Sequence, residues 1–280
     1  MKMTDIALRE DIERYFKEDD LARNMTYLQA LPQDLVETKL YIKSDMVLAG
    51  LPWFCATFDY LGASGFAESA LKEFEGKTLN KGDVIEMGKL PFGVALTGER
   101  IALNLLQRAS NISTFTKEFV EKAEKYNISI LDTRKTNPGM RALEKYAVRA
   151  GGGVNHRFGQ CDMWMVKDNH KTFFGGVKEA VDFFKNIGSF YAPIELEVHD
   201  LAEFDEAIDL GIKHVMLDNF LAADVAECIK KKPQGMTIEL SGGVTLNNLE
   251  GHLIKGVDAI SIGSLTYAAP AVDISFKYHR

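Results

Sequence analysis

The sequence reads as an α/β protein whose larger, C-terminal part is a barrel of repeated strand–helix units. Two observations carry this reading. Beyond about Arg100, short apolar runs at residues 128–131, 162–166, 194–198, 214–217, 237–240 and 259–262 alternate with helical segments. The connections between them are too long for hairpins, which marks parallel βα units, and so many units in this length suit a barrel better than a doubly wound sheet. The second observation is where the polar residues fall. Nearly every expected strand ends in reactive or small groups: Asp132-Thr133-Arg134-Lys135, Lys167-Asp168-Asn169-His170, Glu197, Asp218, Ser241-Gly242-Gly243 and Gly263-Ser264. In a βα barrel the C-terminal strand ends converge on one mouth, so these scattered positions are expected to meet in space.

Taken in order, the first hundred residues read as mixed α/β. Leu8, Ile12, Tyr15 and Phe16 recur at helical spacing, and the apolar stretch 50–61 is a second candidate helix. Strand-like pieces at 38–42, 83–86 and 92–96 are separated by charged or glycine-containing turns. No catalytic cluster appears in this half, which reads as scaffold. Ile101, Leu105, Ile112, Phe115 and Phe119 then form one stripe of a long helix ending near Glu124.

Composition narrows the class. The chain has 280 residues, 46% hydrophobic and 26% charged, the balance of an ordinary globular enzyme. No apolar run is long enough to span a membrane, and residues 1–17 lack an apolar signal core, so a cytoplasmic location is expected. A net charge of −7 argues against a nucleic-acid partner. Cys55, Cys161 and Cys228 are far apart without zinc-type spacing, and are expected to be reduced and structural.

The strand ends also indicate a chemistry. Small residues follow two consecutive strands at Ser241-Gly242-Gly243 and Gly263-Ser264, where backbone N–H groups can approach a phosphate. Either turn alone would be unremarkable; two in succession point to a sugar phosphate or nucleotide phosphate. Arg134, Lys135, His156, Arg157, Lys167 and His170 make the same mouth cationic, which implies small polyanionic substrates. Against them stand Glu197, nearest its strand end, and Asp218, which suit Mg²⁺ shared with substrate phosphates, ribose hydroxyls, or a structural ion pair with nearby lysines. The loop Gly151-Gly152-Gly153-Val154-Asn155-His156-Arg157 is expected to fold closely over a ligand with His156 and Arg157 facing inward.

Together the segments 131–170, 194–198 (IELEV), 215–220 (VMLDNF), 240–249 (LSGGVTLNNL) and 256–266 (GVDAISIGSLT), with the helix 98–110, resemble the quinolinate phosphoribosyltransferase family, over roughly Gly82 to the C-terminus. The resemblance implies an open, TIM-like α/β barrel over 100–267 and an N-terminal α/β sandwich over 1–99, completed by the tail 268–280. It implies decarboxylating transfer of phosphoribose from phosphoribosyl pyrophosphate to quinolinate, giving nicotinate mononucleotide, CO₂ and pyrophosphate in NAD biosynthesis. Arg134, His156, Arg157 and Lys167 match residues that hold the pyridine carboxylates. Lys135, Glu197 and Asp218 match those on phosphoribosyl pyrophosphate and its Mg²⁺, and the two glycine-serine turns match the 5′-phosphate cradle. Thr133 and His170 complete the substrate-binding set. The resemblance further implies a homodimer with shared active sites, with a hexamer as a further assembly, in which Arg100 is lent to the partner's site.

The sequence departs from the family at two places. Arg23-Asn24-Met25-Thr26 stands where a Gly-Asp-x-Thr motif is usual, and Ser110-Asn111-Ile112-Ser113-Thr114 where Ser-Gly-Ile-Ala-Thr is usual. Two rival functions fit less. A Schiff-base enzyme using Lys135 or Lys167 leaves the arginines without a task. A non-catalytic binding relative, of the kind tied to molybdenum transport, would have lost the Arg134-Lys135 pair or the Asn155-His156-Arg157 loop.

Overall fold

The computed structural model describes residues 3–19 and 25–279. Along the chain the elements are α1 (Met3–Glu18), α2 (Met25–Ala30), β1 (Leu35–Ile42), β2 (Met46–Val47), α3 (Leu51–Tyr60), α4 (Glu68–Phe74), β3 (Thr78–Leu79), β4 (Val84–Pro91) and α5 (Phe92–Ala123). Next come β5 (Ser129–Leu131), α6 (Arg141–Ala150), β6 (Trp164–Val166), α7 (Asp168–Phe174), α8 (Val177–Ile187), β7 (Ile194–Val198) and α9 (Leu201–Asp209). The last are β8 (His214–Asp218), α10 (Ala222–Lys231), β9 (Thr237–Ser241), β10 (Ala259–Ser261), α11 (Ser264–Tyr267) and β11 (Ile274–His279). They form two compact units. One comprises Met1–Lys117, Asn137–Gly152 and Ala269–Arg280, the other Glu118–Thr136 and Gly153–Ala268. The expected boundary between residues 99 and 100 falls inside α5.

The first unit is built on a three-stranded antiparallel sheet in the order β11-β1-β4. Strand β1 alternates, burying Val36, Thr38, Leu40 and Ile42, and this face meets Ile85, Met87, Ile274 and Phe276. Phe54 and Phe58 of α3 and Ala102, Leu103 and Leu106 of α5 complete the core. Thr38 is the polar exception, and its hydroxyl donates to the Gly88 carbonyl at 2.8 Å, where the register of β1 against β4 shifts. The start of α3 has a remote cap: both oxygens of Glu75 accept, from the N–H groups of Gly50 and Leu51, each at 2.9 Å. Burial raises the Glu75 carboxyl even so, against the lowering by those two bonds.

One expected strand is not a strand. Residues 92–96 are the opening turns of α5, and β4 ends just before them at Pro91. Five residues with alternating large apolar side chains fit either period, and the longer stripe running on through Ala102, Leu106, Ala109 and Phe119 decides for helix. The second departure from the family pattern also finds partners in this unit. Asn111 Oδ1 accepts the Val272 N–H at 2.8 Å, and the Ser113 hydroxyl donates to the Val47 carbonyl at 2.7 Å. Of the first departure, Arg23 and Asn24 lie outside the described residues.

The second unit carries six parallel strands in the order β5-β10-β9-β8-β7-β6. Strands β5 and β6 are its two edges, so the barrel is open, as expected. Val154 bridges to Leu131 at the β5 edge. Helices α8, α9 and α10 each bury one stripe: Val177, Ala180, Val181 and Phe184; Phe204 and Ala207; Val225 and Cys228. Of the three cysteines, all free, Cys161 is exposed, so the expectation that each serves packing holds for Cys55 and Cys228 alone. Among the described residues no helix is long and apolar enough to cross a membrane.

Gly151, which ends α6, was expected to help fold a loop over a ligand. It serves helix packing instead. A Cβ placed on it would stand 2.8 Å from Thr116 Cβ and would collide with the Ser113 carbonyl of α5. Gly151→Ala should therefore destabilise the protein by about 1–3 kcal/mol through overpacking, measured as a lower midpoint in urea unfolding. An unchanged midpoint would show that α6 can move away freely.

Candidate active site

Because the second unit's strands are parallel and in register, their C-terminal ends share one level. Val198 pairs with Leu217, and Asp218 with Ser241. Asp218 and Ser241 therefore stand side by side on β8 and β9, while Glu197 pairs with Met216, two residues before Asp218. The lysine that ends β6, Lys167, donates to Glu197 Oε2 at 2.9 Å. The structural ion pair considered from the sequence is thus present for Glu197.

A histidine that the sequence reading passed over stands among these carboxylates. His199 Nε2 is 3.8 Å from Glu197 Oε1 and 3.9 Å from Asp168 Oδ1, while Nδ1 is 3.8 Å from Asp218 Oδ2. Glu197, His199 and Asp218 each offer one ligand atom within 4.8 Å of the others. Two carboxylates suit a hard cation such as Mg²⁺ that keeps waters and substrate oxygens in its shell, so the residues fit that ion. Asn219 is the second overlooked neighbour. It adopts a left-handed conformation (φ 58°), and its amide donates to Asp218 Oδ2 at 2.9 Å. Gly242, with φ 106°, lies against it so closely that a Cβ would overlap the Asn219 amide.

The loops after β9 and β10 hold the two expected small-residue turns. Ser264, buried, donates to the Val244 carbonyl at 3.4 Å and so ties one loop to the other. Gly263 lies under Lys135: a Cβ there would be 2.8 Å from Lys135 Cδ. Thr266 donates to the Lys135 carbonyl at 2.7 Å, and the Lys135 N–H donates to Thr133 Oγ1 at 3.0 Å. Lys135, Thr133, Gly263 and Ser264 are thus one neighbourhood, and Ser241-Gly242-Gly243 adjoins it on the next strand.

The basic side of the mouth is organised by Asp132, which is fully buried. Its Oδ1 accepts the His156 N–H at 2.9 Å, and its Oδ2 the Asn155 side-chain amide at 2.6 Å. The loop thus anchored presents Arg157, whose Nη1 donates to the Met163 carbonyl at 3.1 Å. The Arg157 pKa is lowered, by burial first and then by the charge of Arg134. Arg134 Nε is itself buried without a hydrogen-bond partner among the described residues. Two guanidinium groups held this way form a site for an anion.

His156 and His170 are placed differently from Arg157. His156 Nδ1 accepts the Arg157 N–H at 2.8 Å, and Nε2 stands 3.1 Å from Glu195 Oε2 and 3.5 Å from Glu239 Oε2. Neither glutamate was singled out from the sequence. The Glu239 carboxyl is raised well above its usual range, by burial first and then by Glu195. His170 accepts the Lys167 N–H through Nδ1 at 2.9 Å, which caps α7, and its ring meets Phe184 edge-on. Its pKa is lowered by burial, then by Lys167 and Arg157. Arg100 belongs to the first unit, exposed in the third turn of α5 rather than near the helix start.

Comparison with known proteins decides the family. The model for the C-terminal domain of quinolinate phosphoribosyl transferase matches residues 112–277, and that for its N-terminal domain residues 20–110. The chain belongs to the quinolinate phosphoribosyltransferase family. The match to the N-terminal domain reaches well upstream of Gly82, where the likeness first becomes legible in the sequence. A probable nicotinate-nucleotide pyrophosphorylase (carboxylating) of Bacillus subtilis (strain 168) is 37% identical over 273 residues, covering 98% of this chain and 94% of that protein. The nicotinate-nucleotide pyrophosphorylase (carboxylating) of Homo sapiens is 37% identical over 248 residues, covering 86% and 82%. The crystal structure of NadC from Streptococcus pyogenes aligns with a TM-score of 0.88 at 33% identity, covering 97% of each chain.

In this member of the family, the Asp132 anchor gives a direct prediction. Asp132→Ala removes two buried hydrogen bonds to a charged acceptor and should cost about 2–4 kcal/mol. Hydrogen exchange at the amides of residues 154–157 should accelerate more than at those of β8. Uniform acceleration across both would show that Asp132 supports the barrel as a whole rather than the loop.

Proposed function

We propose that this chain transfers the phosphoribosyl group of phosphoribosyl pyrophosphate to quinolinate, releasing pyrophosphate and CO₂ and forming nicotinate mononucleotide for NAD biosynthesis. The observation that carries this reading is the division of one mouth into two chemistries. Arg134 and Arg157 form a half-buried cationic pair suited to planar carboxylates. Glu197 and Asp218, with the turns at Ser241-Gly242-Gly243 and Gly263-Ser264, form a side suited to ribose, phosphate and a divalent cation.

The pyridine nitrogen attacks the anomeric carbon as the carbon–oxygen bond to pyrophosphate breaks, and pyrophosphate leaves with that electron pair. Lys135, exposed beside Gly263, is placed to meet the leaving oxygens. Glu197 and Asp218 face the positive charge that develops on the ribose. The quaternised ring then accepts the electron pair of the breaking carbon–carboxylate bond, CO₂ departs, and the ring carbon takes a proton. No covalent enzyme intermediate is required. When bound, Mg²⁺ held by Glu197 and Asp218 would neutralise phosphate charge. Lys167 contributes to the carboxylate side once substrate competes with Glu197 for its ammonium. Thr133 and His170 shape the backbone on which Lys135 and Lys167 stand.

The purified protein should consume quinolinate only with phosphoribosyl pyrophosphate and Mg²⁺ present, with CO₂ released in step. Nicotinate lacks the second carboxylate and should be a poor substrate. Equal turnover of nicotinate would sink the assignment.

A closed homodimer located in the cytoplasm, with Arg100 of each chain completing the partner's site, belongs to the same proposal. It makes a counting prediction. Arg100→Ala and Lys135→Ala should each be nearly inactive alone. When they are mixed and subunits exchange, half the dimers are heterodimers, each with one native site and one doubly damaged site. Activity should recover to about a quarter of wild type. No recovery, with exchange confirmed by mass, would confine Arg100 to its own chain.

A further inference from the structure

The roles above leave Glu195 and Glu239 without a task. They project from β7 and β9, two residues before Glu197 and Ser241, and are only 3% and 7% exposed. Glu239 Oε1 has no hydrogen-bond partner among the described residues, and Glu195 Oε2 faces His156 Nε2 at 3.1 Å without a well-aligned hydrogen bond, a costly state for buried carboxylate oxygens. Together with Ser129, His214, Thr237 and Ala259, they line a cavity of ≈ 360 Å³. Those four residues start strands β5, β8, β9 and β10. Asn155, His156, Arg157 and Met163 line the same cavity, so the two glutamates share it with the loop that carries Arg157.

The trio of His156, Glu195 and Glu239 has ligand atoms close enough for a metal ion. The imidazole argues against one. Nδ1 accepts the Arg157 N–H, so it holds a lone pair, and the neutral ring then carries its proton on Nε2. Ligation through Nε2 would require removing that proton as well. The same reasoning gives the glutamates a different purpose, since Nε2 stands 3.1 and 3.5 Å from their carboxylate oxygens.

We infer that Glu195 and Glu239 are positioning residues, which hold the His156 ring with Nε2–H toward them and so orient Arg157 for a substrate carboxylate. Asp132 fixes the path of the loop through the His156 backbone N–H, and rotation of the ring is governed by its own contacts. The glutamate pair restricts that rotation from inside the barrel, and Nδ1 passes the restriction to the Arg157 N–H. The far end of Arg157 is already tied to the Met163 carbonyl. An arginine fixed at its backbone N–H and at Nη1 meets a planar carboxylate with little reorganisation. That the anion is a carboxylate of quinolinate rests on the function proposed above.

The test has two arms. In steady-state kinetics, Glu239→Ala and Glu195→Ala should each raise the KM for quinolinate about tenfold, leaving the KM for phosphoribosyl pyrophosphate within about twofold. Glu239→Gln, which keeps an oxygen to accept from Nε2–H, should recover most of that loss. Both KM values rising together, or a quinolinate KM that does not move, would overturn the inference. The second arm needs neither turnover nor an alanine variant that folds. Long-range ¹H–¹⁵N spectra of the full chain should show His156 as the Nε2–H tautomer, with its Nε2 resonance displaced in Glu239→Gln. An Nδ1–H tautomer, or a resonance indifferent to the substitution, would overturn it. If wild type fails to use quinolinate while the spectra behave as expected, the proposed function falls and the internal arrangement stands.

Discussion

The carboxylate of Asp132 accepts the His156 N–H through one oxygen and the Asn155 amide through the other, from a position at the end of β5 without solvent exposure. A buried carboxylate is stable only when its acceptor capacity is met by well-placed donors. Here the donors belong to the loop that carries the basic side of the mouth, so the loop cannot relax without stranding the charge. Pairing between Leu131 and Val154 extends the strand edge to the same point, with the Val154 N–H donating to the Ile130 carbonyl at 2.8 Å. The placement of Arg157 follows from these bonds more than from any contact of its own.

Opposite charges share the mouth without cancelling. Arg134 and Arg157 lie close enough for the first to lower the pKa of the second, an unfavourable pairing that bound anion would relieve. Across the sheet, Glu197, Asp218 and Asp168 surround His199, and Lys167 is drawn to Glu197. The two halves are kept apart by backbone: the strand register sets where each side chain starts, and helices α7 and α9 lock the loops behind them. Lys171, nearly buried, donates to both oxygens of Glu203, at 2.8 and 2.7 Å, and Glu203 also accepts the His199 N–H at 2.8 Å. This pair joins the first turn of α7 to that of α9 and so keeps Lys167 and His199 at neighbouring strand ends.

Several side chains look interchangeable in sequence and differ in role because of depth in the barrel. Glu195 and Glu197 share one face of β7, separated by one turn of the pleat. Glu197 reaches the mouth and an ammonium partner, whereas Glu195 lies beneath with His156 and Glu239. The same step separates Glu239 from Ser241 on β9. Depth also decides the histidines: His156 is spent on internal contacts, His170 on capping α7, and His199 stands among the carboxylates of the mouth.

Much of this was legible in the chain itself. Short apolar runs, separated by helical stripes, marked the parallel βα units, because burial on both sides of a parallel sheet demands such runs. Reactive residues at the ends of those runs determined that Arg134, Lys135, Lys167, Glu197, Asp218 and the glycine-serine turns share one mouth, because parallel strands must end together. The short run 92–96 was misread because five residues hold too few turns to separate the two periods. Tertiary structure alone decided which groups touch. That Asp132 is an anchor, that His199 and Asn219 join the carboxylates, and that Glu195 and Glu239 meet under His156 depend on register between strands distant in sequence. Spacing along one chain carries no information about that register, which is settled by how the sheet packs against its helices.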